Sequence, residues 1–137
     1  MEKYVIDTNC LVGTFSRKNE FYVIWEKFFA GKFVLCVSNE ILSEYEEILA
    51  QKHGSEVASN VIKAILYNSN VEKVDVHYHF NLIVSDPDDN KFVDCAIAAN
   101  ARLIVTNDHH FDVLNTIPFP HVEVANIVSF VNLLSSF

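Results

Sequence analysis

Ser85–Asp108, SDPDDNKFVDCAIAANARLIVTND, is where the α/β character of the chain shows first. It opens with an acidic turn, Asp86-Pro87-Asp88-Asp89, and enters a helix whose later half, Cys95-Ala96-Ile97-Ala98-Ala99, carries almost no large side chains. It leaves through a short β-type run, Leu103-Ile104-Val105, and stops at Thr106-Asn107-Asp108. A small-residue helix feeding a continuous apolar strand fits close packing between a helix layer and a parallel sheet. Two carboxylates are out of place in this setting. Asp94 lies within the apolar part of the helix, and Asp108 lies just past a strand that reads as buried. A desolvated carboxylate is costly, so each needs a partner, a proton or a cation.

The same alternation extends outward in both directions. Lys3–Ile6 reads as a first, central strand ending on Asp7. Taken alone, Asp7 reads equally well as the N-cap of a helix over Asn9–Phe15 and as a ligand beyond a strand end. Asn19–Lys32 has Phe21, Ile24, Trp25, Phe28 and Phe29 at helical spacing and Gly31 as its stop, and Phe33–Val37 is a second strand. Ser38 caps a helix to about His53, with Ile41, Leu42, Tyr45, Ile48 and Leu49 inward. Glu44 and Glu46 border that stripe on opposite sides, and periodicity does not choose between them. Ser55–Tyr67 is a further helix. In Val71–Phe80 apolar residues alternate with Asp75, His77 and His79, as expected of a half-buried edge strand. After the central stretch come a short helix or turn at His109–Leu114, a strand at Val122–Ala125 and a helix at Ile127–Leu134. The order β-α-β-α-α-β-α-β-α-β-α predicts an α/β fold, a mainly parallel sheet flanked by helices on both faces, and one domain over residues 1–137.

Half of the 137 residues are hydrophobic and a fifth are charged, which is the composition of a folded protein. No apolar run reaches a membrane span, and the start does not read as a signal peptide, so no membrane partner is expected. Cys10, Cys36 and Cys95 sit among apolar residues without metal-type spacing. They read as reduced core thiols of a cytoplasmic protein. The formal charge of −8 argues against a broad basic nucleic-acid surface. It leaves room for an enzyme whose bound cations and few lysines meet the phosphates. His77 and His79, and His109 and His110 beside the site, read as surface residues.

On such a fold Asp7 and Asp108 both stand at strand carboxyl ends, Asp94 can reach the same rim, and a glutamate of the second helix can close the group. Asn9 and Thr106 add neutral oxygens. Several carboxylates this close raise one another's pKa values, and a cation removes the conflict. The all-oxygen donor set selects Mg2+ or Mn2+ over Zn2+. Such an ion can acidify a water and stabilise a phosphodiester transition state. Removal of Asp94 is then expected to leave the metal-free fold intact or more stable.

Four segments in order, Tyr4-Val5-Ile6-Asp7-Thr8-Asn9, the Ser38–Leu49 helix with Glu44-Tyr45, Asp86-Pro87-Asp88-Asp89-Asn90 through Asp94-Cys95-Ala96-Ile97-Ala98, and Ile104-Val105-Thr106-Asn107-Asp108, carry a resemblance. The chain resembles the PIN-domain family of ribonucleases, in particular the toxin components of bacterial toxin–antitoxin pairs. The resemblance implies Asp7, Glu44, Asp94 and Asp108 as the metal-binding and catalytic acids, and it is the resemblance that singles out Glu44. It implies an RNA substrate and an antitoxin partner, and a homodimer is an admissible assembly. Asn9, Asp89 and Thr106 are candidates for the surrounding shell, with Asp89 read first as the cap of the central helix. Asn107 stands where the family often has glycine, and asparagine is expected to keep a left-handed turn there. Lys91 reads as an exposed helix lysine with a phosphate contact as the alternative, and loop residues Arg17 and Lys18 read the same way. An aspartyl-phosphate phosphohydrolase is disfavoured by Asn9, which stands where that class has a second acid. A nucleotide-binding module is disfavoured by single, isolated glycines. A non-catalytic PIN-like module binding RNA or protein is the remaining alternative.

Overall fold

A computed structural model describes residues 1–136. Five strands, β1 (Lys3–Ile6), β2 (Val34–Val37), β3 (Val71–Lys73), β4 (Leu103–Val105) and β5 (Val124–Ala125), form one sheet in the order β3-β2-β1-β4-β5. Every neighbouring pair is parallel. The helices are α1 (Thr8–Val12), α2 (Val23–Phe29), α3 (Asn39–His53), α4 (Ser55–Tyr67), α5 (Asn90–Ala99) and α6 (Ile127–Leu134), with 3-10 turns at Pro87–Asp89 and His109–Thr116. The α/β architecture expected from the alternation is the one observed. Among the described residues no helix is long and apolar enough to cross a membrane.

Local chemistry explains the element limits. The Ser38 hydroxyl accepts the Ile41 N–H at 3.3 Å and starts α3 as a side-chain cap should. Gly54, at φ +91°, lets α3 stop and α4 begin without an intervening loop. The helix expected over Asn19–Lys32 begins only at Val23. Asn19 turns the chain first, its Oδ1 accepting the Phe21 N–H at 2.8 Å. The strand expected to reach Phe80 ends at Lys73. Its only neighbour, β2, offers Leu35, Cys36 and Val37 as partners, and beyond Val37 there is no ladder left to join.

The core lies on both faces of β1. Tyr4 packs edge-on against Phe130 of α6 and Phe33, at ring distances of 4.9 and 5.7 Å. The Trp25 indole N–H donates to the Leu11 carbonyl at 3.0 Å, tying α2 to α1. Truncating a ring of this kind to alanine costs about 3–5 kcal/mol. Helix α5 buries Val93, Cys95, Ala96 and Ala99 and packs on β1, β2 and β4. Small residues there let the helix approach the sheet closely. The three cysteines are buried and free, and burial first of all pushes each thiol up to about 12. They are core groups, as the sequence suggested, and inert ones.

Candidate metal centre

The chain lays down β1, β2 and β3 toward one edge, then returns to place β4 on the other side of β1. The direction of winding therefore changes between β1 and β4, and the crevice beyond their carboxyl ends is where such sheets bind ligands. Register brings Ile6 opposite Val105, and the Asp7 N–H continues the ladder to the Val105 carbonyl at 2.9 Å. Asp7 and Thr106 thus emerge side by side. The Thr106 hydroxyl donates to Asp7 Oδ2 at 2.7 Å and accepts the Asp108 N–H at 3.0 Å. Asp7 precedes α1 but makes no side-chain cap bond to it. Its carboxylate is committed across the sheet instead. Asp108 Oδ1 accepts the His110 N–H at 2.9 Å and so opens the 3-10 turn that follows.

A third acid comes from the turn before α5. Asp86 Oδ1 accepts the Asp88 N–H at 3.2 Å and starts that 3-10 turn, which delivers Asp89 toward the crevice. Asp89 precedes α5 yet makes no side-chain cap bond, contrary to the capping role expected of it. Its Oδ2 is buried and has no protein partner other than His110 Nδ1, 3.4 Å away. Burial raises the Asp89 pKa to about 6, helped by the charges of Asp86, Asp108 and Asp7 and opposed by His110. For Asp7, burial is again the chief cause of a raised pKa. The Thr106 hydroxyl and Asn9 amide oppose it, and Asp108 and Glu44 add to it.

Glu44 is brought in by α3. The buried Tyr45 hydroxyl donates to the Ile6 carbonyl and pins that helix to the end of β1. Next to it, Glu44 accepts from the Thr8 hydroxyl through Oε2 and pairs with Lys91 Nζ through Oε1 at 2.8 Å. Glu46, on the other side of the stripe, is exposed. The group thus holds hard oxygen donors, a buried carboxylate oxygen whose one neighbour is a histidine nitrogen, and acids whose charges help raise the pKa of Asp7 and Asp89. That chemistry fits a divalent cation, which would coordinate the buried oxygen and offset the repulsion.

A family model described as the PIN domain matches residues 3–110. The chain belongs to the PIN domain family. No curated protein matches it in sequence. Among solved structures, it is similar to VapBC2 from Rickettsia felis bound to a DNA fragment from their promoter, with 21% identity over 90% of this chain and 98% of that one and a TM-score of 0.61. The Mycobacterium tuberculosis VapC20 toxin, described as sarcin-ricin loop cleaving, is 15% identical over 80% and 92% with a TM-score of 0.57. PAE2754 from Pyrobaculum aerophilum is 14% identical over 99% and 91% with a TM-score of 0.63. At these identities the likeness is one of fold.

Asp94 is the acid that this PIN domain keeps elsewhere. It is buried, with Oδ1 accepting the Phe80 N–H at 3.1 Å and Oδ2 lying 3.3 Å from His79 Nδ1. It lines a cleft with His77, His79 and Lys91, whereas Asp7, Asn9 and Asp108 border a different one. The partner that a buried helix acid needs is supplied here by a backbone amide from the segment after β3. Lys91 is not an exposed lysine. Its side chain is 8% accessible and its Nζ also lies 3.0 Å from Asp88 Oδ2. Burial lowers the Lys91 pKa, and Glu44 and Asp88 more than reverse this, so the net shift is upward. Asn107 does not adopt the left-handed backbone expected of it; the non-glycine residues that do are Asn81 and Asn100. Asn107 Oδ1 instead accepts the Ile127 N–H at 3.0 Å at the start of α6. Arg17, Lys18, His77 and His109 are exposed, as read from sequence. His79 and His110 are exposed too, as read, and each also faces carboxylates. The acidic run Asp86–Asp89 was the available signal for Asp89, because a 3-10 turn there points its last acid back over the sheet.

Proposed function

We propose that this PIN domain, spanning residues 1–137 as one unit, is a Mg2+- or Mn2+-dependent endoribonuclease and the toxin member of a toxin–antitoxin pair acting in the cytoplasm. The observation that carries the reading is the gathering of Asp7, Asp89 and Asp108 at the winding switch, with Thr106 bridging two of them. In this proposal Asp7, Asp89 and Asp108 hold the ion, with Glu44 at its edge and Asn9 on the rim. Asp94, implied by the resemblance, has its oxygens on Phe80 and His79 and is assigned a structural role. When bound, the ion supplies Lewis-acid stabilisation of the phosphodiester and an acidified water.

The chain's own residues set the conditions for that chemistry. Thr106 fixes Oδ2 of Asp7. Its second bond holds the Asp108 backbone, so the two carboxylates cannot drift apart. Thr8 and Lys91 clamp the Glu44 side chain beside the acids. The toxin assignment draws support from the fold shared with VapBC and VapC proteins and from the family match.

The test is cleavage of single-stranded RNA in Mn2+ by wild type, Asp7→Asn and Asp108→Asn. A loss of roughly 100-fold or more in each variant, with folding preserved, is expected of groups that act only through the ion. Wild-type cleavage that persists in chelator, or that both variants retain, would refute the assignment. A small DNA-binding protein encoded just upstream, co-purifying with the chain and blocking cleavage, is the result expected of an antitoxin.

A further inference from the structure

His110 is the residue whose placement goes beyond an all-oxygen site. Its Nδ1 lies 3.2 Å from Asp108 Oδ1, 3.4 Å from Asp89 Oδ2 and 3.7 Å from Asp86 Oδ2. One ligand atom each from Asp86, Asp89 and His110 fall within 4.8 Å of one another. Among the described residues no other trio of histidine, cysteine and acid side chains meets that condition. The buried Oδ2 of Asp89 belongs to this group and has no protein partner besides His110 Nδ1. The ring is held there by the backbone, since the His110 N–H is the one that Asp108 caps. His109, one residue earlier, points away to Asp112 at 3.3 Å and is almost wholly exposed. The two adjacent histidines therefore differ in kind, and only one belongs to the acid group.

We propose that His110 is a nitrogen ligand of the ion held by Asp89 and Asp108, with Asp86 beside it, and that it biases the site toward Mn2+ over Mg2+. This rests on the reading of the crevice as a divalent-metal site. The chemical ground is ligand preference. Mg2+ takes oxygen ligands in a strict octahedron and keeps its waters, whereas imidazole suits first-row transition ions. A group that offers carboxylates alone would not discriminate strongly. An imidazole nitrogen placed among them offers Mn2+ an additional bond that Mg2+ gains little from. The carboxylate oxygens suit either ion, so Mg2+ is disfavoured and not excluded.

The experiment uses the full chain without an affinity tag, loaded with Mn2+ alone, and reads it by pulsed electron paramagnetic resonance. Coordination by His110 predicts nitrogen-14 modulation in the wild type that disappears in His110→Gln. Calorimetric titration of the two proteins should show Mn2+ affinity falling at least ~10-fold in the variant, while Mg2+ affinity changes less than about twofold. Mn2+ binding by the wild type without nitrogen modulation, or equal losses for both ions, would overturn the proposal and leave the carboxylate site standing. Failure of the wild type to bind either ion would overturn the site itself, and this proposal with it. His110 is half exposed, so the variant is expected to fold, and an unchanged circular dichroism spectrum checks this.

Discussion

Asp7 and Thr106 are 99 positions apart in the chain, and the Thr106 hydroxyl donates to Asp7 Oδ2 at 2.7 Å. The bond exists because β1 and β4 are neighbours in register, and both residues follow directly from those strands. It also sets the backbone of Asp108. Thr106→Val, close in shape, should therefore remove two bonds at once, one of them to a charge. The expected loss of stability is about 2 kcal/mol, because a buried carboxylate is left underpaired. Chemical denaturation in the absence of metal checks this, and the variant should also bind Mn2+ more weakly.

Asp94→Ala is expected to destabilise. It strips the Phe80 N–H and His79 of their acceptor and loosens the segment between β3 and α5. A cost of about 2 kcal/mol follows from losing a hydrogen bond to a buried charged acceptor. Mn2+ affinity should stay within a few-fold of wild type. A large loss of Mn2+ binding with unchanged stability would return Asp94 to the metal set.

Asp89 makes the metal-free protein sensitive to pH. Its folded pKa, about 6, lies above that of an ordinary aspartate, so between the two values the folded state binds more protons than the unfolded one. Stability contributed by this group is therefore lost as pH rises from about 4 to about 6. Asp89→Asn should abolish that slope and stabilise the metal-free protein near pH 7.5. Solvent screening at the rim holds the gain to about 1 kcal/mol. Saturating Mn2+ should reverse the order and favour the wild type. Denaturation curves across this pH range, with and without metal, provide the measurement.

Gly13 is required by space. A Cβ there would lie 2.4 Å from the Asn9 carbonyl oxygen, at an ordinary backbone angle of φ −64°. Gly13→Ala should shift α1, which carries Asn9 to the rim, and cost about 1–3 kcal/mol. Thermal melting checks it.

The sheet was legible because apolar runs such as Tyr4–Ile6 and Leu103–Val105 report central parallel strands locally, and the placement of Asp7 and Asp108 follows from them. Glu44 needed the family pattern, since periodicity treats Glu46 as its equal. The partners of Asp94 were not legible, for a physical reason. Burial of a carboxylate is visible in a helical pattern, but the Phe80 amide that satisfies it comes from a segment 14 residues upstream. Asp89 was read as a cap because its position allows it, and only the 3-10 turn at Pro87–Asp89 shows where its side chain goes. The end of β3 was hidden likewise, since strand alternation in Val71–Phe80 says nothing of how long the neighbouring strand is.

Under the proposed function, one crevice gathers the acids that hold the ion. An anomalous difference map from crystals grown with Mn2+ tests it most directly. The predicted result is a peak within coordination distance of Asp7, Asp89 and Asp108. A peak between His79 and Asp94, or none at saturating Mn2+, would contradict it.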